Sequence, residues 1–215
     1  MNALTCICSL SAAIALFGCS GGETKTLSPS EDAGLIGHCE TPFLGDPATA
    51  PEIELVSLDP GGMHAPIIEG GSVSLLQPPN AGRVIFAGAR VRNMDPCGIR
   101  IAGQLKDPVS EQVRIDNRIV NFAPMNGGWG GPAPTDIATF SNLAVCPNQW
   151  SMQDLFGKEY ELTVTVTDRE GRKATQSARI VPACDEPGNE AGCTCICKQG
   201  YKLGQQCSSS GDGGP

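Results

Sequence analysis

Sulfur dominates the reactive side chains of this protein, which carries 11 cysteines against two histidines and two tryptophans in 215 residues. Cys19 stands apart, preceded by Leu16, Phe17 and Gly18 at the end of an apolar run that starts at Leu4 and contains Cys6 and Cys8. The other eight are Cys39, Cys97, Cys146, Cys184, Cys193, Cys195, Cys197 and Cys207. An even set of thiols is what an oxidising compartment converts to disulfides. Reduced, the C-x-C-x-C run at Cys193, Cys195 and Cys197 could bind zinc or copper(I), but zinc ribbons favour two C-x-x-C pairs, which are absent, and no metal is expected. Catalysis by histidine has little to work with: His38 and His64 are isolated, and no G-x-S-x-G or H-E-x-x-H string occurs. Glu159 and Glu161 alternate as a solvated strand face does, rather than as a glycosidase pair. Asp168 and Glu170 suit a hairpin turn better than a calcium site. The chain is therefore read as having no catalytic residue and no cofactor. One side chain is a candidate for binding: Trp129, set in Gly127-Gly128-Trp129-Gly130-Gly131. On such a loop an indole is either an exposed stacking surface for sugar or peptide or is folded back and buried. Trp150, close behind Cys146, reads as core.

The elements that must position these residues are strands. Ile99, Ile101, Gly103 and Leu105 alternate with polar or small residues, and Tyr160, Leu162, Val164 and Val166 alternate with Glu161 and three threonines. A period of two sends one set inward and the other outward. Ile53–Leu58, Ser72–Leu76, Arg83–Arg92, Val113–Phe122 and a strand returning over Arg172–Val181 complete the set, and no convincing amphipathic helix is found. Short strands divided by Gly, Pro, Asn and Asp turns predict an all-β fold of two packed antiparallel sheets over 51–182. Before it, 1–18 has the length of a signal-peptide core, about 14 apolar residues, too short to span a membrane. Residues 19–50 read as a flexible acidic stalk, with five acids against Lys25. The sandwich region is nearly balanced in charge and has no basic run, which argues against nucleic acid; its arginines read as the solvent side of strands. Cys97 and Cys146, each beside a proline within the sandwich, form the first expected disulfide. After 182 comes a cysteine-rich tail to 207, and 208–215 is expected to be disordered.

Three resemblances extend this reading. The Leu16-Phe17-Gly18-Cys19 string resembles a bacterial lipobox, which implies export, cleavage before Cys19 and a lipid on its thiol, with Ser20 at the next position implying the outer membrane. An ordinary secretory peptide is the alternative, since no Lys or Arg precedes the apolar run. The segment Tyr160 to Gly171 resembles the last hairpin of bacterial immunoglobulin-like and PKD-like domains, although Leu162 stands where antibody domains have cysteine. Cys195-Ile-Cys197-Lys-Gln-Gly200-Tyr201 with Cys207 resembles the C-terminal half of an EGF-like module. That family implies Cys197 paired with Cys207 and, by analogy, Cys184 with Cys195 and Cys39 with Cys193. Together the chain is similar to cysteine-rich bacterial lipoproteins: an immunoglobulin-like antiparallel β-sandwich with a small disulfide-rich C-terminal cap, held at the membrane by a lipid anchor. The expected role is non-catalytic scaffolding, adhesion or binding of an envelope protein or glycan. The rival is an envelope hydrolase or an accessory carbohydrate-binding module.

Overall fold

The computed structural model describes residues 39–80 and 82–207. Cys19, the signal segment, the stalk up to residue 38 and the tail from 208 lie outside them. The fold is built around one long strand, Arg83–Arg92 (β4), whose Ile85, Ala87, Ala89 and Val91 point inward. On one edge it takes Glu52–Leu58 (β1), which in turn pairs with His64–Pro66 (β2). On the other it takes Ser141–Cys146 (β9) along its first half and the two-residue strand Gly130–Gly131 (β8) at Val91, followed by Ala123–Pro124 (β7). The second sheet runs in the order Gly71–Ser74 (β3), Lys173–Ala183 (β11), Tyr160–Thr167 (β10), Ile99–Lys106 (β5) and Val113–Val120 (β6).

The inner faces meet as the alternation requires. Ile85, Ala87, Ala89 and Val91 of β4, Ile99, Ile101 and Leu105 of β5, and Leu162, Val164 and Val166 of β10 have no exposed surface. Each buried Ile, Leu or Val contributes about 1.5–3 kcal/mol. Gly103 interrupts that inner row for a steric reason: a Cβ there would lie 2.3 Å from Ser141 Oγ, so glycine lets β9 close on β5. The chain is thus an all-β sandwich with a disulfide-rich C-terminal cap. It is not purely antiparallel, because β3 runs parallel to β11.

The corner near Tyr160 is polar and sealed. Its ring is buried, its hydroxyl donates to Asp154 O at 3.1 Å and lies 2.6 Å from Ser151 Oγ. Asp107, with no exposed surface, accepts the N–H groups of Val109 and Met152 at 2.9 Å and the hydroxyls of Ser110 and Ser151 at 2.8 and 2.9 Å. Burial raises its pKa, but these donors together outweigh burial and hold it below the ordinary carboxylate value.

Two expectations are corrected. The stalk does not extend to residue 50 as a free tether. Cys39 is bonded to Cys97, Leu44 is 5% exposed and donates its N–H to Met94 O at 3.0 Å, and Arg172 bonds the carbonyls of Pro47 and Thr49. The second correction concerns pairing. All eight of the later cysteines are in disulfides, yet the bonds are Cys39–Cys97, Cys146–Cys197, Cys184–Cys193 and Cys195–Cys207, and none of the expected pairs forms. Cys146 pairs in register with Arg83 at the start of β4, whereas Cys97 lies beyond its end at Arg92. Ten residues of strand span about 33 Å, far beyond the reach of a disulfide at about 4.4–6.8 Å between Cα atoms. Cys39 and Cys193 are held apart in the same way. Cys39 sits with Cys97 at one end of β4, and Cys193 lies on the helix Glu190–Cys197 (α1), whose preceding residue Asn189 accepts from Arg83 Nη2 at 3.1 Å. The helix also overturns the EGF-like pairs. Cys193 and Cys197, four residues apart, share its buried face, while Cys195 points away and takes Cys207.

Candidate functional site

Trp129 sits on the outer face of the first sheet, where charge and aromatic surface converge. The even positions of β1 and β4 form this face. At one end Leu58, Val84 and Phe86 pack with Phe140, and at the other Glu54 pairs with Arg90 at 3.2 Å and Glu52 with Arg92 at 2.6 Å. These ion pairs follow directly from the strand register, Glu54 opposite Arg90 and Glu52 opposite Arg92. The indole lies across them, with both guanidinium carbons 5.1 Å from its ring centroid. Nε of each arginine is buried without a hydrogen-bond partner, as fits a guanidinium resting against a ring instead of water.

The glycines around Trp129 act on the backbone. Gly127 and Gly128 take φ of 73° and 76°, the left-handed turn that carries the chain over the sheet. Gly130 then lies so close that a Cβ would meet Leu44 Cδ1 at 2.5 Å. The loop is pressed flat, and Trp129 ends half-buried, neither fully presented nor part of the core. Trp150 is a core residue, 6% exposed, with Nε1 donating to Val145 O at 2.9 Å.

His64 belongs to the same face, a placement no local sequence signal announced. Its ring meets Phe140 edge-on at 5.7 Å. Burial holds its pKa below the ordinary imidazole value, partly opposed by a hydrogen bond to the backbone of Pro132 and aided by the charge of Arg90. Gly88, between Phe86 and Arg90, leaves the space that Pro132 and Phe140 fill, since a Cβ would come within 2.8 and 3.0 Å of them.

The remaining candidates resolve into structure. Glu159 and Glu161 line a surface concavity of about 360 Å³ with Glu69, and both are exposed. Glu69 is paired with Arg179, whose N–H and guanidinium lower its pKa. Asp168 is 5% exposed and accepts the N–H groups of Glu170 and Arg172 at 3.0 and 2.8 Å, an oxygen spent on the hairpin turn. Every sulfur of the C-x-C-x-C run is in a disulfide, so the run presents no thiolate. What the Trp129 face offers is contact: an aromatic rim, two guanidiniums and two carboxylates fixed by strand register, with no nucleophile and base in reach of one another among them. A search of protein-family models, curated proteins and solved structures finds nothing that matches this chain.

Proposed function

We propose that this protein is an exported, lipid-anchored cell-envelope protein, of the outer membrane, whose sandwich is a non-catalytic module that binds a glycan or another envelope protein. The observation that carries the binding role is the half-covered indole of Trp129, held over Arg90 and Arg92 on a rigid sheet. Sites on strands hold their geometry better than sites on free loops, and stacking surfaces with flanking polar groups suit sugars and peptides alike. Export is supported by oxidation of all eight cysteines that follow Cys19.

Two measurements test the two halves. Labelled palmitate should enter the chain in cells and fail to enter Cys19→Ala; incorporation without Cys19 defeats the anchor. The oxidised domain should capture a glycan or envelope protein that Trp129→Ala captures at least tenfold less well. Equal capture by both removes Trp129 from the site, and turnover of a captured glycan would move the reading to the hydrolase.

A further inference from the structure

Two of the disulfides touch. Cys193 Sγ lies 3.9 Å from Cys197 Sγ, although each is bonded elsewhere, Cys193 to Cys184 and Cys197 to Cys146. The sulfurs of Cys184, Cys193 and Cys197 all lie within 4.8 Å of one another. Access to them is graded. Cys184 is half-buried, whereas Cys193, Cys197 and Cys146 are 1%, 0% and 5% exposed. By this gradient Cys184 is the member of the four most open to an external thiol.

We propose that Cys184 is the point of attack for a thiol reductant and that the two disulfides form an exchange relay, which passes the opened bond inward to Cys146. The donor is a small dithiol or the dithiol of a thiol–disulfide oxidoreductase. Its first thiolate attacks Cys184 Sγ, forms a mixed disulfide there and releases Cys193 as thiolate. Its second thiol, deprotonated, resolves that mixed disulfide, leaves oxidised, and frees Cys184, which takes up a proton. The Cys193 thiolate then attacks Cys197 Sγ, forms Cys193–Cys197 and expels Cys146 as thiolate, which is protonated in turn. Two electrons have entered and two thiols result, at Cys184 and Cys146. Residues four apart in an α-helix have Cα atoms about 6.2 Å apart, within the range disulfides span, but Cβ atoms about 5–6 Å apart against the roughly 3.5–4.5 Å of a disulfide, so the new bond forms with distortion of the last turn of α1. Attack by a thiolate on a neighbouring disulfide is how such bonds isomerise. The outcome separates helix α1 from strand β9, since Cys146–Cys197 is the covalent tie between them.

Stepwise reduction of the oxidised chain tests the relay. A dithiol is raised at about pH 8.5, near the ordinary thiol pKa, until the first two-electron product involving Cys184 appears. Free thiols are then alkylated and remaining disulfides mapped by fragmentation. The expected product carries alkyl groups on Cys184 and Cys146 and a Cys193–Cys197 link. Alkylation of Cys184 and Cys193 with Cys146–Cys197 intact overturns the proposal. Cys184→Ser gives an independent reading without reductant: its unpaired sulfur should be found at Cys146 in a substantial fraction of molecules, and residence at Cys193 alone overturns it. In Cys184→Ser/Cys193→Ser the attacking sulfur is gone, and Cys146–Cys197 should stay closed at the reductant level that opens it in the wild type. Opening there at the same level means that Cys146–Cys197 is reached directly, which also overturns it.

Discussion

At the scale of single residues the two tryptophans form an internal control. Trp129 rests on two guanidiniums and is half-buried, so Trp129→Ala should cost about 1–2 kcal/mol, the sum of two partly exposed cation–π contacts and modest burial. Trp150 is sealed and donates to Val145 O, and Trp150→Ala should cost about 3–5 kcal/mol. Chemical denaturation of both variants reads the difference. Losses of equal size would place Trp129 in the core and leave the proposed contact surface without its aromatic member. Asp107 makes a second prediction, in which pH matters. Its folded pKa lies below its unfolded one, so the stability it contributes is present above the unfolded value of about 3.9 and disappears as pH falls through the folded pKa. Asp107→Asn replaces one acceptor oxygen with a donor facing donors and should cost about 2–3 kcal/mol at neutral pH. It should also flatten the loss of stability below pH 4, seen as converging melting temperatures of variant and wild type on acidification.

At the scale of elements, the glycines beside Trp129 show why a loop can be read wrongly from composition. Four glycines around an indole suggest exposure, yet Gly130 is small because Leu44 packs on it, and that apposition is invisible until the segment before residue 50 is docked. Gly130→Ala should therefore displace Leu44 or β8 and cost about 1–3 kcal/mol, measured by thermal melting, whereas Gly157→Ala, with nothing near its Cβ, meets only the strain of its φ of 63°. An equal loss in both would show that backbone strain and not the Leu44 contact governs. The long strands were legible from their apolar patterns, the alternation of β10, that of β5 broken only at Gly103, and the apolar run 84–87 of β4: β4 and β5 begin and end where the sequence pattern does, and β1, β6, β10 and β11 differ by a residue or two. β9 was not, since Ser141, buried against β5 and β6, breaks the apolar alternation of Leu143 and Val145. Helix α1 was hidden by its cysteines, whose C-x-C-x-C spacing has the period of a strand while only Cys193 and Cys197 form an inward stripe. The disulfides were illegible for the same reason, because their pairing depends on that helix and on the length of β4.

At the scale of the molecule, the disulfides bind the periphery and leave the sandwich to its apolar core. Cys39–Cys97 fastens the N-terminal segment, Cys146–Cys197 and Cys184–Cys193 fasten the cap, and Cys195–Cys207 lies within the cap. None joins two strands of the second sheet, whose inner residues are fully buried without sulfur. The loops closed by Cys39–Cys97 and Cys146–Cys197, 58 and 51 residues, would each be worth about 4 kcal/mol by chain entropy. That figure is a ceiling here, because a broken tie releases a terminal segment rather than the whole chain. Complete reduction and alkylation should accordingly lower the melting temperature but leave a cooperative transition. Hydrogen exchange would locate what survives. Amides of β5, β10 and β11 should keep their protection, while those of α1 and of residues 39–50 should exchange rapidly. Loss of protection in β10 together with α1 would mean that the sandwich depends on its clamps. The same measurement on Cys39→Ser/Cys97→Ser separates the two ends: exchange should quicken in residues 39–50 and, through Leu44, in β8 beneath Trp129, with α1 unchanged. The candidate contact surface would then be the part of the molecule most sensitive to the N-terminal disulfide, and least sensitive to the three in the cap.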